Sequence, residues 1–271
     1  MARPVIALLT DFGLRDHYAG TMKGVILGIC PDAALVDISH DVPAHDVLAG
    51  ALELAACYRY FPAGTIFLVV VDPGVGSARR GVAVEGGDYK FVAPDNGVLS
   101  SVADDFVVTR GVELSETRYA RGTVSRTFEG RDRFAPAAAW LANGVDLAAL
   151  GREAGALHRL DLPKPAIEPA SGIARGEVVR IDRFGNLITN IDRPTFDLLG
   201  ISRPPGGDVL EIAVGGYHVR KLVSTYGDVA AGEICALFGS SDHLEIASNG
   251  GSAAALLDVG RGAPVRVIRR A

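Results

Sequence analysis

The sequence has few cysteines, no long apolar run and no dense basic tract. Three cysteines lie far apart in 271 residues, without a C-x-x-C pair, which favours reduced thiols in a cytoplasm. The longest apolar runs, such as 66–71, are far too short to cross a bilayer, and the first residues lack the pattern of a signal peptide. We therefore expect a cytoplasmic protein with no membrane partner.

The charge balance excludes another class of partner. The formal net charge is -5 and lysines and arginines are scattered, so binding to nucleic acid is not expected. Hydrophobic residues make up 48% and charged residues 22%, as in ordinary folded proteins. The length allows one large domain or two modest ones.

The first half alternates strand and helix patterns. Strands separated by helices predict a mostly parallel sheet flanked by helices, in an N-terminal α/β domain over residues 1–165. The predicted strands are Val5–Leu9, Leu35–Ile38 and Thr65–Val71, and the predicted helices are Tyr18–Cys30, Ala44–Tyr60 and Pro136–Asn143.

The pattern changes after a proline-rich stretch. Asp161–Gly172 holds three prolines and is predicted to be an extended linker. Short strands bounded by glycine and aspartate follow, which predicts a small C-terminal antiparallel β-barrel over residues 166–271. These strands are Gly176–Ile181, Val209–Val214, His218–Ser224, Glu233–Phe238 and Pro264–Ile268.

Acidic residues follow two of the predicted parallel strands, where active residues of open α/β sheets gather. Asp11 follows the first strand and Asp72 follows Thr65–Val71. Each has a structural alternative, because Asp11 suits a helix cap and Asp72-Pro73-Gly74 suits a tight turn. The glycines of "GVGSARRG" lack the Lys-Ser/Thr of a phosphate loop, and no cluster has convincing metal-ligand spacing.

Five segments together are more specific than any one alone. They are "LLTDFGLRDHYAGTMKGVI", "VVVDPGVGSARRGVAV", "APDNGVLS", "TFEGRDRFAPAAAWLA" and "IDRFGNLITNI", in this order. The chain resembles the S-adenosyl-L-methionine hydroxide adenosyltransferase family, which is related to the adenosyl fluoride and chloride synthases. The resemblance implies an α/β domain joined to a β-barrel, and a homotrimer that binds S-adenosyl-L-methionine between subunits.

The resemblance also implies a reaction, in which water displaces methionine from the ribose C5′ and leaves adenosine. The leaving group is a neutral thioether, so no metal or other cofactor is expected. Asp72 and Arg79 match two members of the family's water-activating Asp-Arg-His triad, with Arg80 as a competing candidate. Glu129 stands where the triad has histidine. Glu129 either replaces the histidine, or is a bystander, or marks a protein with little turnover.

The remaining family positions concern the substrate. Asp11 matches the aspartate that accepts hydrogen bonds from the ribose hydroxyls, which suits a carboxylate with two acceptor oxygens. Asp182 and Asn186 match the residues that hold the ends of methionine, and Tyr226 matches an aromatic that stacks on adenine. Further candidates for the substrate site are Phe184, Ser240, Ser241 and Ser248.

Two other functions remain open. A non-catalytic adenosine or S-adenosyl-L-methionine binding protein would keep the binding residues without needing Asp72 and Arg79. A synthase that uses halide is disfavoured, because the Asp72 carboxylate would repel a halide ion in a dry site.

Overall fold

The computed structural model describes residues 3–201, 210–219 and 221–269. The chain divides into two compact units, Met1–Leu162 (unit 1) and Pro163–Ala271 (unit 2). The predicted strand positions Val209 and Arg220 lie outside the described residues.

Unit 1 is built around a sheet in which parallel pairing dominates. Its strands are β1 (Val5–Thr10), β2 (Ala34–Ser39), β3 (Ile66–Val70), β4 (Gly81–Gly86), β5 (Tyr89–Pro94) and β6 (Val108–Glu113). The order is β2-β1-β3-β5-β4-β6, and only β4 runs antiparallel to its neighbours among these described strands. The predicted mostly parallel sheet is confirmed, although β4 to β6 are not among the predicted strands.

Helices cover both faces of this sheet. They are α1 (Tyr18–Ile29), α2 (Val47–Cys57), α3 (Ser100–Asp105) and α4 (Ala135–Ala142). Ile66 and Leu68 pack into the core with α1 and α4, whereas Phe67 and Val69 pack into a second core with α2 and α3. Alternate residues of β3 face opposite sides of the sheet. Because helices cover both sides, every residue of β3 is apolar.

One edge of this sheet collects the candidate residues of unit 1. Because β1 and β3 are parallel, Asp11 and Asp72 follow them at the same edge. Gly81, the first residue of the antiparallel β4, pairs with Pro94, the last of β5. Arg79, two residues before β4, therefore lies at the edge where the parallel strands end.

Unit 2 is an antiparallel, barrel-like sheet. Its strands are β7 (Ala166–Glu168), β8 (Ile173–Ile181), β9 (Leu187–Asp192), β10 (Leu210–Val214), β11 (Tyr217–Val219), β12 (Ile234–Phe238), β13 (His243–Ser248) and β14 (Pro264–Arg269), with helices α5 (Arg193–Leu198) and α6 (Ala253–Leu257). The order is β11-β10-β14-β8-β9-β13-β12, and β7 pairs with β8. Two hydrogen bonds, from Ala236 N to Lys221 O and from Val223 N to Ala236 O, nearly close the barrel.

The predicted antiparallel barrel is confirmed, with two local corrections. Asp161–Gly172 was predicted to be an extended linker, but part of it forms the strand β7, which pairs with β8. The predicted strand His218–Ser224 is shorter, because β11 ends at Val219 and the chain from Lys221 turns to β12 instead.

Candidate active site

Asp72 begins a tight turn that returns the chain to the sheet edge. Val75 N donates to Asp72 O at 3.2 Å, and Ser77 N donates to Gly74 O at 3.0 Å. Gly76 has a φ of +75°, and a Cβ there would lie 2.3 Å from the carbonyl oxygen of Arg126. Asp72-Pro73-Gly74 therefore forms the tight turn that its sequence suits, and this turn also brings Arg79 back against the Asp72 carboxylate.

Asp72, Arg79 and Glu129 form what we name the ion-pair cluster. Arg79 Nε donates to Asp72 Oδ1 at 2.9 Å, and Arg79 Nη2 donates to Asp72 Oδ2. Arg79 Nη2 also lies 2.8 Å from Glu129 Oε2. The side chains of Asp72, Arg79 and Glu129 are 4%, 10% and 10% exposed, so water screens their charges weakly.

The charges of the cluster fix its protonation. Burial alone lowers the pKa of the Arg79 guanidinium, but the hydrogen bond and charge of Asp72, with the charge of Glu129, raise that pKa above its ordinary value. The guanidinium also lies 5.2 Å from the centre of the Phe134 ring. Arg79 is thus a permanent cation between two carboxylates.

Glu129 differs from Asp72 in its hydrogen bonds. Both oxygens of Asp72 accept from Arg79, whereas Glu129 Oε2 is buried and has no hydrogen-bond partner among the described residues. Its contact with Arg79 is an ion pair whose geometry falls outside a hydrogen bond, and Arg133 Nε is 4.0 Å away. Arg79 therefore holds Glu129 by charge, without the two hydrogen bonds that hold Asp72.

A salt-bridged aspartate fixes the backbone next to Glu129. Glu129 precedes a π-helical segment, Gly130–Phe134, that runs into α4. Asp132 is fully buried, accepts two hydrogen bonds from Arg131 and one from Ser125 N, and forms an ion pair with Arg121. Burial acts to raise the pKa of Asp132, but these partners lower it, so Asp132 stays ionised and holds the segment.

Arg80, the competing candidate, has a different set of partners. Arg80 Nε donates to Asp95 Oδ2 at 2.9 Å, and its Nη2 donates to Ala156 O at 2.7 Å. Arg80 Nη1 donates to Ala154 O. Arg80 thus ties the chain around 154–156 to the sheet, and Arg79 is the arginine of the ion-pair cluster.

Asp11 lies in a loop that is lined by aromatic rings. Asp11 Oδ2 accepts from His45 N at 2.8 Å, and His45 adopts a φ of +68°, which is uncommon for a residue with a side chain. The rings of Phe12 and Phe128 are 6.0 Å apart, and those of Tyr18 and Phe128 are 5.0 Å apart. The neighbours of Asp11 and Glu129 therefore pack against each other.

In unit 2, Asp182 and Asn186 lie together. Asp182 Oδ1 accepts from the backbone N–H groups of Phe184 and Asn186, each at 2.9 Å, and Asp182 Oδ2 accepts from Asn186 Nδ2 at 2.9 Å. The turn holds Phe184 out, with 75% of it exposed. An exposed aromatic side chain beside a carboxylate and an amide is suited to binding a ligand.

Glu245 is a residue that the sequence analysis missed. Tyr226 Oη donates to Glu245 Oε2 at 3.0 Å, and Glu245 is 6% exposed. Burial, with the charge of Asp182, raises the pKa of Glu245, although the hydrogen bond from Tyr226 acts to lower it. Burial, with the charges of Glu245 and Asp182, raises the pKa of Tyr226 to about 12. A glutamate in the apolar strand "HLEIAS" was the available signal, because buried charges require a partner.

The three candidate serines lie at the two ends of β13. Ser240 and Ser241 are in the turn before this strand, whereas Ser248 is its last residue. Six strand residues span roughly 17 Å, so the structure does not bring the three serines to one point. Ser248 Oγ is buried and has no hydrogen-bond partner within the described part of unit 2.

Neither a metal-ion cluster nor a membrane-spanning helix occurs among the described residues. Across 3–201, 210–219 and 221–269, no three His, Cys, Asp or Glu side chains are grouped so that they could hold a metal ion. No helix within those ranges is long and apolar enough to span a membrane.

The fold and the ion-pair cluster define an α/β unit with a buried acid–arginine site, followed by an antiparallel barrel-like unit. Models of the N-terminal and C-terminal domains of SAM hydroxide adenosyltransferase match residues 6–151 and 176–266. The chain belongs to the SAM hydroxide adenosyltransferase family, which confirms the resemblance found in the sequence.

Similar proteins cover nearly all of the chain. The (R)-S-adenosyl-L-methionine hydrolase of Salinispora tropica is 38% identical over 97% of each chain, and that of Thermus thermophilus is 38% identical over 98% of this chain and 100% of its own. A fluorinase of an Actinoplanes species is 30% identical over 91% of each chain. The crystal structure of an uncharacterized conserved protein from Thermotoga maritima superposes with a TM-score of 0.91 at 37% identity, over 97% of this chain and 100% of that one.

Proposed function

We propose that this chain is an S-adenosyl-L-methionine hydrolase that forms adenosine and L-methionine. A water oxygen attacks the ribose C5′ from the side opposite sulfur, so a C5′–O bond forms as the C5′–S bond breaks. The electron pair of the broken bond neutralises the sulfonium, and the water proton goes to a protein base. The expelled thioether needs no proton or Lewis acid, so we propose that no metal or cofactor takes part.

The observation that carries the proposal is the unequal pairing of the two carboxylates in the ion-pair cluster. Asp72 is held by two hydrogen bonds from Arg79, whereas Glu129 Oε2 has only an ion pair. Glu129 is therefore the proton acceptor, and it takes the role of the family histidine. Asp72 fixes the guanidinium, which stabilises the developing hydroxide.

We assign the substrate-holding residues by family position. Asp11 accepts the ribose hydroxyls, Asp182 and Asn186 hold the amino acid end, and Tyr226 stacks on adenine with Phe184 as a wall. The serines at the ends of β13 complete this set. The active protein is proposed to be a cytoplasmic homotrimer, for which light scattering should give about three times the 28.3 kDa chain mass.

A halide nucleophile is disfavoured by the same cluster. Its two carboxylates are at least nine-tenths buried, and a halide ion beside them would meet like charge at low dielectric. The formation of a 5′-haloadenosine in chloride or fluoride solution would contradict this.

The experiment is turnover of S-adenosyl-L-methionine in ¹⁸O-labelled water, followed by chromatography and mass spectrometry. We expect adenosine and methionine above the spontaneous rate, with ¹⁸O in the adenosine 5′-hydroxyl. Bound ligand without products would show a binding protein instead. Turnover should survive dialysis against a chelator, and loss of activity there would refute the proposal that no metal takes part.

A further inference from the structure

A chain of polar side chains runs from Thr10, the residue before Asp11, through His40 to Asp37 and Lys23 at the surface. Thr10 Oγ1 and His40 Nδ1 are 2.8 Å apart, His40 Nε2 is 3.1 Å from Asp37 Oδ1, and Lys23 Nζ is 2.6 Å from Asp37 Oδ2. Thr10 is fully buried and His40 is 3% exposed. The proposed reaction uses none of these four side chains.

The charges along this chain determine which groups donate. Burial acts to raise the pKa of Asp37, but hydrogen bonds from Lys23 and His40 lower it below its ordinary value. Asp37 is therefore an acceptor at neutral pH, and His40 Nε2 carries the proton of that bond. In the neutral ring, Nδ1 then accepts from the Thr10 hydroxyl.

His40 and Thr10 also hold the backbone on both sides of Asp11. Gly13 N donates to His40 O at 2.7 Å, and Val42 N donates to Thr10 O at 3.4 Å. Phe12 N donates to Thr10 Oγ1 at 3.3 Å. The Thr10–His40 contact thus joins the end of β1 to the segment after β2.

The segment after β2 returns to Asp11 a few residues later. His45 N donates to Asp11 Oδ2, and it does so from a positive φ that costs conformational energy. Such a conformation persists only where its surroundings fix it. The buried hydrogen bonds of His40 fix the start of this segment, and Asp46, which caps α2 by accepting from Ala49 N, fixes its end.

We infer that His40 is a positioning residue that sets the place of the Asp11 carboxylate through the 10–13 and 40–45 segments. The inference rests on the proposed role of Asp11 toward a ribose. It predicts that the effects of changing His40 and Asp11 on kcat/KM and on adenosine binding are coupled, because His40 acts only through Asp11.

A double-mutant cycle tests this coupling. Asp11→Ala, His40→Phe and the double variant are compared by kcat/KM for S-adenosyl-L-methionine and by the dissociation constant of adenosine in calorimetry. His40→Phe alone should lower kcat/KM about 10²-fold, the effect of a misplacement near 1 Å. In the Asp11→Ala background, the same change should cost less than about threefold. His158→Phe, on an exposed histidine of unit 1, is the control that should change neither value.

Thr10→Val keeps the experiment informative if His40→Phe folds poorly. It removes one hydroxyl with little change in shape and should reproduce part of the loss, again only where Asp11 is present. Additive losses in the cycle, or unchanged kinetics in both variants, would overturn the inference. If the parent protein binds adenosine without turnover, the proposed function fails and the binding cycle alone decides on His40. If the parent protein does neither, both proposals fail.

Discussion

Glu129→Gln removes the proposed proton acceptor of the ion-pair cluster and leaves the Asp72–Arg79 pair in place. The change keeps the size of the side chain and removes its charge, and Arg79 keeps both hydrogen bonds to Asp72. No buried charge is left alone, so the loss of stability should stay below the ~3–5 kcal/mol of a broken buried pair. The fold should survive, and the effect on turnover can be measured by itself.

The expected kinetic effect is large. Loss of a positioned base typically costs ~10²–10⁴-fold in rate, and a hundredfold loss equals about 2.7 kcal/mol of activation free energy. We expect kcat to fall at least about 10²-fold, with KM little changed because Glu129 has no assigned contact with the substrate. The assay is steady-state formation of adenosine, and Glu153→Gln, on an exposed glutamate of unit 1, is the matched control.

Glu129→His distinguishes a base from a bystander. An ordinary histidine has a pKa near ~6.5, above that of any ordinary carboxyl group. If position 129 holds the base, this variant should stay active and the acid limb of its kcat profile should move toward neutral pH. An unmoved limb in Glu129→His, or near-normal turnover in Glu129→Gln, would remove Glu129 from the mechanism and leave Asp72 as the acceptor.

Three further predictions concern Arg79, Arg80 and Tyr226. Arg79→Met leaves the two buried carboxylates of the ion-pair cluster without their cation. The free energy of unfolding in urea should fall by ~3–5 kcal/mol, and an unchanged value would contradict this. Arg80→Met should leave kcat unchanged. It should speed tryptic cleavage around 152–159, because Arg80 ties this segment to the sheet, and an unchanged cleavage rate would refute this. Tyr226 should ionise near pH 12 in an absorbance titration, where the curve of Tyr226→Phe is subtracted from that of the parent protein. The stability that this raised pKa contributes is complete below about pH 10 and is lost as the pH rises through about 12. Glu245→Gln should lower that pKa without restoring the ordinary value, because burial is the largest cause, and an unmoved titration would exclude the pairing.

The parts of the fold that could be predicted are those with a strong local pattern. β3 is apolar on both faces, and α1 has helical spacing, so both were predicted within one or two residues. β4 has a glycine at each end and follows two arginines, so its pattern does not identify a strand. Its antiparallel direction depends on pairing with β5, which lies beyond local sequence.

The candidate site divides in the same way. Strand ends placed Asp11 and Asp72 at one edge, and the family motif added Glu129. Adjacent arginines look equivalent in sequence, but in the structure Arg79 pairs with Asp72 and Glu129, whereas Arg80 pairs with Asp95 and the carbonyl oxygens of Ala154 and Ala156. Partners distant in sequence cannot be inferred from local patterns. His40 and Glu245 were missed for this reason.

A glutamate in place of the family histidine changes what this site must supply. Acceptance of the water proton contributes one part of the rate, and alignment of the reactants contributes another. Holding reactants in line can provide ~7–11 kcal/mol, more than the ~3–5 kcal/mol of a good base. The bidentate Asp72–Arg79 pair, the crowded Gly76 turn and the buried Asp132 all fix geometry rather than chemistry. We therefore propose that rigid alignment of the attacking water contributes more to the rate than proton acceptance, so that a glutamate suffices at position 129.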